Sequence, residues 1–408
     1  MRYCLACLGA LLSCASPAED VTVKLRAIPE YHGARSDRPF AIADDLTGLG
    51  RDVAHGEAEL RAKPFDVNLV ATARTTKREG SDSDNEVILN ELFYDTRVAG
   101  QRIGLGKKIM SWDVGFGFRP LDVIQQEDRR AIFTTTLEGI PYASWERFGE
   151  KDAWIVVLAN PGRSQEVDPR DDQSLAVKYY LHSESTDWHA VARVSQRNRW
   201  ESGAAFSRVA GESTEMHGSV LYQYRYEKRI NRLAGQSRTL LATSDPVEAR
   251  TFDDGIKALL GFTWTAQAGW TLLGEAWYDS SAYTRRQWQA VTDLTRAQLG
   301  LQGLSGVPAG AIPANIAWSA QYFGRPNLLR QNLLLHLSHR GESRSIDPAL
   351  DVLLTPEDGG WVASASAGYE GDRFRLDAGY RIFGGAKNSA YRLLPEDRIA
   401  FAALQFSF

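Results

Sequence analysis

Three groupings in this 408-residue chain have the residue types for chemistry. His336-Leu337-Ser338 sets a histidine two residues from a serine, a spacing that places a base and a nucleophile on one side of a strand. Gly104-Leu105-Gly106-Lys107-Lys108 carries the glycines and lysine of a phosphate-cradling loop. The third grouping is dispersed: Arg26, Arg61, Arg74, Arg193, Arg225, Arg330, Arg373, Arg375 and Arg381 each stand in sequence that alternates between apolar and charged residues. Glu275 and Asp377 share their faces, as do Lys24, Lys178, Glu57, Glu59 and Asp66.

The first two groupings fail on their own terms. A Walker loop needs glycine where Gln101 stands and serine or threonine where Lys108 stands. Leu333, Leu335 and Leu337 form one apolar side of their strand, so Asn332, His336 and Ser338 point the other way. No catalytic residue is therefore expected, and the chain does not read as an enzyme. The seven histidines show no metal-binding spacing, and no metal or cofactor is expected. A net charge of −4 argues against nucleic acid as a partner.

The elements that must position the arginines are strands. Ala58, Leu60 and Ala62 alternate with Glu57, Glu59 and Arg61; Phe374, Leu376, Ala378, Tyr380 and Ile382 alternate with Arg373, Arg375, Asp377 and Arg381. Val220, Tyr222, Tyr224 and Tyr226 oppose Gln223, Arg225 and Glu227 in the same manner. Mean hydropathy is −0.32 and no run of 18 apolar residues occurs, which excludes a helical membrane protein but not a barrel, whose lipid face is every second residue.

Connections alternate in length. Short ones at Lys63-Pro64, Ala99-Gly100 and Gly149 to Asp152 interleave with long polar ones over 32–52, 112–142, 228–253 and 281–327. A sandwich has no reason to sort its loops by parity; a closed up-and-down barrel does. The count is eighteen strands, with sixteen as the fallback, because alternation weakens near 133–148 and 346–355. Tryptophans such as Trp188, Trp200, Trp264, Trp270, Trp277 and Trp361 suit interfacial girdles. Two long connections could narrow the bore: 281–327, with a short amphipathic helix over 286–299, and the glycine-bearing stretch from Trp112 to Asp122.

The ends complete the pattern. Residues 1–18 read as a cleaved secretory signal, Arg2 preceding the apolar run from Leu5 to Leu12 and small residues through Ala18, which leaves 19–408 as one barrel domain. A lipoprotein signal with Cys14 as the modified residue is the alternative. All three cysteines lie in this segment, so the mature chain needs no disulfides in an oxidising compartment. The last strand stops on Phe408, with Phe406, Leu404, Ala402 and Ala400 on the same side.

Signal, alternating strands, loop parity and terminal phenylalanine together resemble the porin-type outer-membrane β-barrels of Gram-negative bacteria. That resemblance implies a transmembrane antiparallel barrel with short periplasmic turns and long extracellular loops. It also implies that Phe406 and Phe408 are the insertion signal read by the barrel-assembly machinery. Outer-membrane lipid and lipopolysaccharide would surround the chain, and a homo-oligomer is a further expectation, trimers being common among porins. The function it implies is a channel for passive passage of small hydrophilic, by the arginine count anionic, solutes. Two alternatives stay beside it: an export conduit, as for polysaccharide, and a closed structural barrel. A barrel-embedded lipid hydrolase is disfavoured, since such enzymes carry their His-x-Ser pair on the lipid side.

Overall fold

The computed structural model describes residues 21–127, 137–160, 172–236, 240–340 and 346–408. The expected signal segment and Cys14 lie outside the described residues. Eighteen strands form one closed sheet in which every strand pairs antiparallel with its sequence neighbours, and the last pairs with the first. They are β1 (Val21–Ala34), β2 (Val53–Ala62), β3 (Val67–Arg78), β4 (Ser83–Val98), β5 (Gln101–Lys108), β6 (Ile140–Phe148), β7 (Asp152–Ala159), β8 (Ser174–Ser183) and β9 (Thr186–Ser195), then β10 (Arg199–Ala210), β11 (Thr214–Asn231), β12 (Val247–Thr265), β13 (Trp270–Asp279), β14 (Gln331–His339), β15 (Ile346–Thr355), β16 (Gly360–Glu370), β17 (Phe374–Gly385) and β18 (Glu396–Ser407).

Closure satisfies the edge strands that an open sheet would leave bare. Phe408 N–H donates to the Val23 carbonyl at 2.9 Å, and the Val23 N–H returns a bond to Phe408 at 3.2 Å. The terminal residue is thus stitched into the seam. Loop parity holds for most connections: those such as 99–100, 184–185 and 211–213 share one rim, while 35–52, 109–139, 232–246 and 280–330 share the other, where 79–82, 196–198 and 356–359 are tight.

The outward face is apolar. Leu25, Leu92, Leu105, Leu260, Leu335, Leu376, Leu404 and Phe406 are all exposed and face away from the lumen. Trp188, Trp200, Trp264 and Trp270 join them outside. Such a band is stable against hydrocarbon and untenable against water, so the barrel spans a membrane. No helix among the described residues is long and apolar enough to do so. Two expectations about facing need correction. Trp277 is buried inside the barrel, its ring stacked 5.9 Å from Phe118, so it is not part of a girdle. Tyr226 is also buried, because parity slips opposite Asp254, which takes a left-handed backbone (φ 58°) in β12.

Short helices close the long-loop rim: α1 (Asp44–Thr47), α2 (Arg285–Leu299), α3 (Ala311–Ala320) and α4 (Ala390–Leu393). Helix α2 starts at a capping box in which Thr284 and Gln287 satisfy each other's backbone N–H groups. Its Trp288, Val291 and Leu294 recur every three residues and are buried, Trp288 and Val291 in one core with Ile312, Ile316, Tyr322 and Phe323. Tyr283 and Tyr322 stack at 4.0 Å within this core, where burial pushes the Tyr322 phenol up to about 12. The 280–330 connection is therefore chiefly a cap at the rim. Residues 323 and 326–328 of it reach the first of the lumen's cavities, and Ser281 and Arg325 reach the second.

Candidate functional site: a lumen divided by an inward loop

The segment that narrows the bore is the β5–β6 connection. Asp122 folds it: its carboxylate accepts from the backbone N–H groups of Trp112 and Asp113 and from the Ser111 hydroxyl. Asp113 in turn accepts from the N–H groups of Val114 and Leu121 and from Ser219 Oγ on β11. Burial holds both carboxyls above the usual carboxylate range, against the opposing pull of those donors.

Apolar side chains then dock the loop on the wall. Trp112, Leu121, Val123 and Ile124 pack onto Ile140, Val157, Ala176, Val191, Ala205 and Leu221, which face inward from β6 to β11. This part of the inner wall is greasy because the loop covers it. Leu121, fully buried, fills the space over Gly203, where a Cβ would come within 2.5 Å of it. Burying such a leucine stabilises the docked loop by about 1.5–3 kcal/mol.

The loop tip is fixed by Glu275. Its carboxylate, 1 % exposed, accepts the N–H of Phe116 at 2.6 Å and of Gly117 at 2.7 Å, with His217 Nε2 at 2.9 Å. Gly117 lies so close to the wall that a Cβ would sit 2.6 Å from Leu334 and 3.2 Å from Glu275 Oε2. Phe118 is wedged among Leu259, Leu273, Trp277 and Leu334. Glu275 was expected as a selectivity charge; it acts as a clamp instead, turned away from any solute.

Two cavities flank the loop. The first, about 730 Å³, is bounded by β1–β3, by β13–β18 and by the cap. The second, about 520 Å³, is bounded by β3, β4, β6 and β9–β12. Arg74 and Gln126 line both. Arg74 donates from Nε to Glu86 at 2.6 Å, so an ion pair stands at the junction.

Most of the expected lumen arginines carry a partner. Arg26 bridges Glu57 at 3.0 Å and Gln405 at 3.2 Å. Arg61 pairs with Glu59, and Arg375 with Asp377 at 2.8 Å. Arg193, buried, lies between Glu201 at 2.7 Å and Asp172 at 2.9 Å. Arg225 sits 3.7 Å from Asp253 beside the parity slip and lines neither cavity. Arg330 donates to the Tyr278 hydroxyl at 3.4 Å. Arg373 is not on the lumen wall: it belongs to the exposed turn before β17, which begins only at Phe374. Of the nine arginines, Arg74, Arg193 and Arg381 line a cavity. Arg381 donates to Ser364 Oγ at 2.9 Å. His336 faces inward with Ser338, and its Nδ1 lies 2.7 Å from Asp351 rather than from the serine.

Sequence reasoning passed over Arg197, Lys257 and Arg325, which line the second cavity with Arg74 and Arg193. Arg197 and Lys257 stand in ordinary alternation. Arg325 gives no signal at all, since it is part of an irregular connection. Among the described residues no group of histidine, cysteine and carboxylate side chains could hold a metal.

No family model matches the sequence, and no curated protein matches it either. Solved structures do match the fold. Acinetobacter baumannii OccAB4 superposes with a TM-score of 0.53 at 8 % identity, over 96 % of this chain and 100 % of that one. Pseudomonas aeruginosa OccK11 (OpdR) gives 0.52 at 7 % identity, with 95 % of each chain covered. Pseudomonas aeruginosa OpdK, crystallised with vanillate, gives 0.51 at 9 %, over 95 % of this chain and 98 % of that one. Identity this low is a likeness of fold, and the fold is that of the porin-type outer-membrane β-barrel.

Proposed function

We propose that this chain is an outer-membrane channel through which small hydrophilic solutes pass by diffusion, and that the second cavity is where anions are accommodated. The observation that supports passage is the inward loop. It lies along the wall from β6 to β14 and leaves water-sized space on both sides, as a device that narrows a pore would. Anion accommodation is supported by the second cavity, which Arg325 and Lys257 both line and where Arg325 donates to the Glu227 carbonyl at 2.8 Å rather than to a carboxylate. OpdK, of the same fold, was crystallised with a carboxylate, vanillate.

The chain would reach the outer membrane after cleavage of residues 1–18, with Phe406 and Phe408 presented to the assembly machinery and lipopolysaccharide at the long-loop side. The test is conductance in planar bilayers under a salt gradient. Discrete channels with a reversal potential on the anion side support the proposal. Strong cation preference overturns the anion site, and absence of channels overturns passage. The second reading, a closed structural barrel, draws on the depth to which residues 111–127 fill the lumen, and absent conductance would be its mark.

A further inference from the structure

We infer that the first cavity is a binding site for a neutral polyhydroxylated ring, a monosaccharide or a cyclitol. Strand register supplies the first observation. His336 on β14 stands opposite Asp351 on β15, Asp351 opposite Ser364 on β16, and Ser364 opposite Arg381 on β17. All four line the cavity, in one row across four strands. Hydrogen bonds join the row in pairs: His336 Nδ1 with Asp351 at 2.7 Å, and Arg381 Nε donating to Ser364 Oγ at 2.9 Å. Asp351 keeps 36 % of its side chain exposed, so its carboxylate retains lone pairs toward the cavity. A hydroxyl both donates and accepts, so a ring carrying several can bond to carboxylate, hydroxyl and guanidinium in turn.

Phe116 supplies the second observation. Its ring is 43 % exposed although its backbone N–H is held by Glu275 at 2.6 Å inside the barrel. The ring stands 5.3 Å from the His336 imidazole, beside one end of the row. The C–H face of a sugar ring can pack on it while the hydroxyls at its edge reach the row. Pairing then selects against either charge. Among the described residues the other carboxylates on this wall are engaged: Glu57 by Arg26, Glu30 and Glu396 by His32, and Asp122 by the loop's own N–H groups. Glu127 has a partner as well. Arg74 is held by Glu86, and Arg119 by the Gly115 carbonyl and Ser111. Within the row, an ammonium drawn to Asp351 is opposed by Arg381 two strand spacings, about 10 Å, away, and a carboxylate meets the reverse. A neutral ring leaves water without that penalty and exchanges its hydrogen bonds one for one.

The inference rests on the channel reading for passage, but binding is measured apart from it. Glucose, glucosamine and glucuronate share one ring and carry no charge, a positive charge and a negative charge, so they isolate the sign. Ligand-observed NMR on the full-length protein, folded in a detergent without a sugar headgroup, should show glucose binding about threefold or more tighter than either ion. Phe116→Ala should weaken glucose about tenfold. Asp351→Asn leaves Arg381 unopposed in the row and should turn the preference toward glucuronate. Glucosamine or glucuronate binding as tightly as glucose to the unaltered protein, or glucose not binding, overturns the inference. Vanillyl alcohol, neutral but flat and aromatic, overturns it by binding tighter than glucose, since the row would then have no part. A Phe116→Ala variant that runs as a heat-modifiable barrel yet binds glucose unchanged overturns it as well. Glucose binding without any conductance would keep the site and reject the channel.

Discussion

The two cavities differ in a way that neither composition nor strand pattern records. The first is walled by aromatic rings and carries twice as many carboxylates as guanidiniums; the second has one aromatic residue, Tyr226, and balances five cations against five carboxylates. Both are cut from one barrel by one loop. What separates them is where residues 109–127 lie, with Arg74 and Gln126 at the boundary. A count of inward arginines treats the lumen as one ring and finds it basic. Once each ion pair is placed, the same arginines are largely spent on their neighbours, and the sign of each compartment is set by the residues left over. The teaching is that selectivity here is a property of the partition.

The comparison breaks most readily if the partition is removed. Leu121→Ala leaves a void over Gly203 and should cost loop docking about 2–5 kcal/mol. Amide exchange across 112–121 should rise by about 30-fold or more, and single-channel conductance should increase as the two cavities merge. An unchanged exchange rate would mean the loop is not held by that contact.

Glu275→Gln is the next largest. It removes the charge from two N–H···carboxylate bonds and from the His217 contact, and charge-assisted bonds are worth about 1.5–3 kcal/mol. Current noise should increase about tenfold, with the change confined to the boundary of the first cavity. Equal disturbance of anion passage through the second cavity would contradict the assignment of the tip to β13–β14.

Arg325→Gln combined with Lys257→Gln sharpens the comparison from the other side. The reversal potential should move toward the cation side by a modest factor, about twofold in permeability ratio.

The smallest expected effect is of pH. Burial raises the Asp113 and Asp122 carboxyls above their unfolded values, so their contribution to docking is fully present below the unfolded value of about 3.9 and is lost as pH rises through the folded ones. Acidification from neutral toward pH 4 should therefore tighten the loop slightly. Amide exchange at 112–121, corrected for its intrinsic pH dependence, should show more protection; less protection would reverse the sign.

The barrel was legible in the sequence because two-residue periodicity and loop parity are global properties. They survive local errors: β6 and β15 form where alternation is weakest, since their neighbours on both sides demand partners. Leu404, Phe406 and Phe408 face outward as the two-residue alternation of their strand expects. Single faces were less secure. Tyr226 and Arg225 change sides at one left-handed residue, Asp254, on the partner strand, and no pattern in β11 announces it. Trp277 lies inside by the same alternation that turns Glu275 inward, and Phe118 stacks on it there. The loop from Trp112 to Asp122 drew notice for its glycines and charges, but its course depends on Asp122 accepting N–H groups ten residues back. Charge pairing was least legible of all. Arg193 finds Glu201 through a strand register and Asp172 through a loop, and only the folded barrel sets both.

The central claim is that water crosses this barrel past a docked loop. Single-channel recording in planar bilayers, comparing the unaltered protein with Leu121→Ala, tests it most directly. The account predicts discrete steps from the unaltered protein and larger ones from the variant. A barrel that inserts and stays silent, or a variant whose steps match those of the parent, would contradict it.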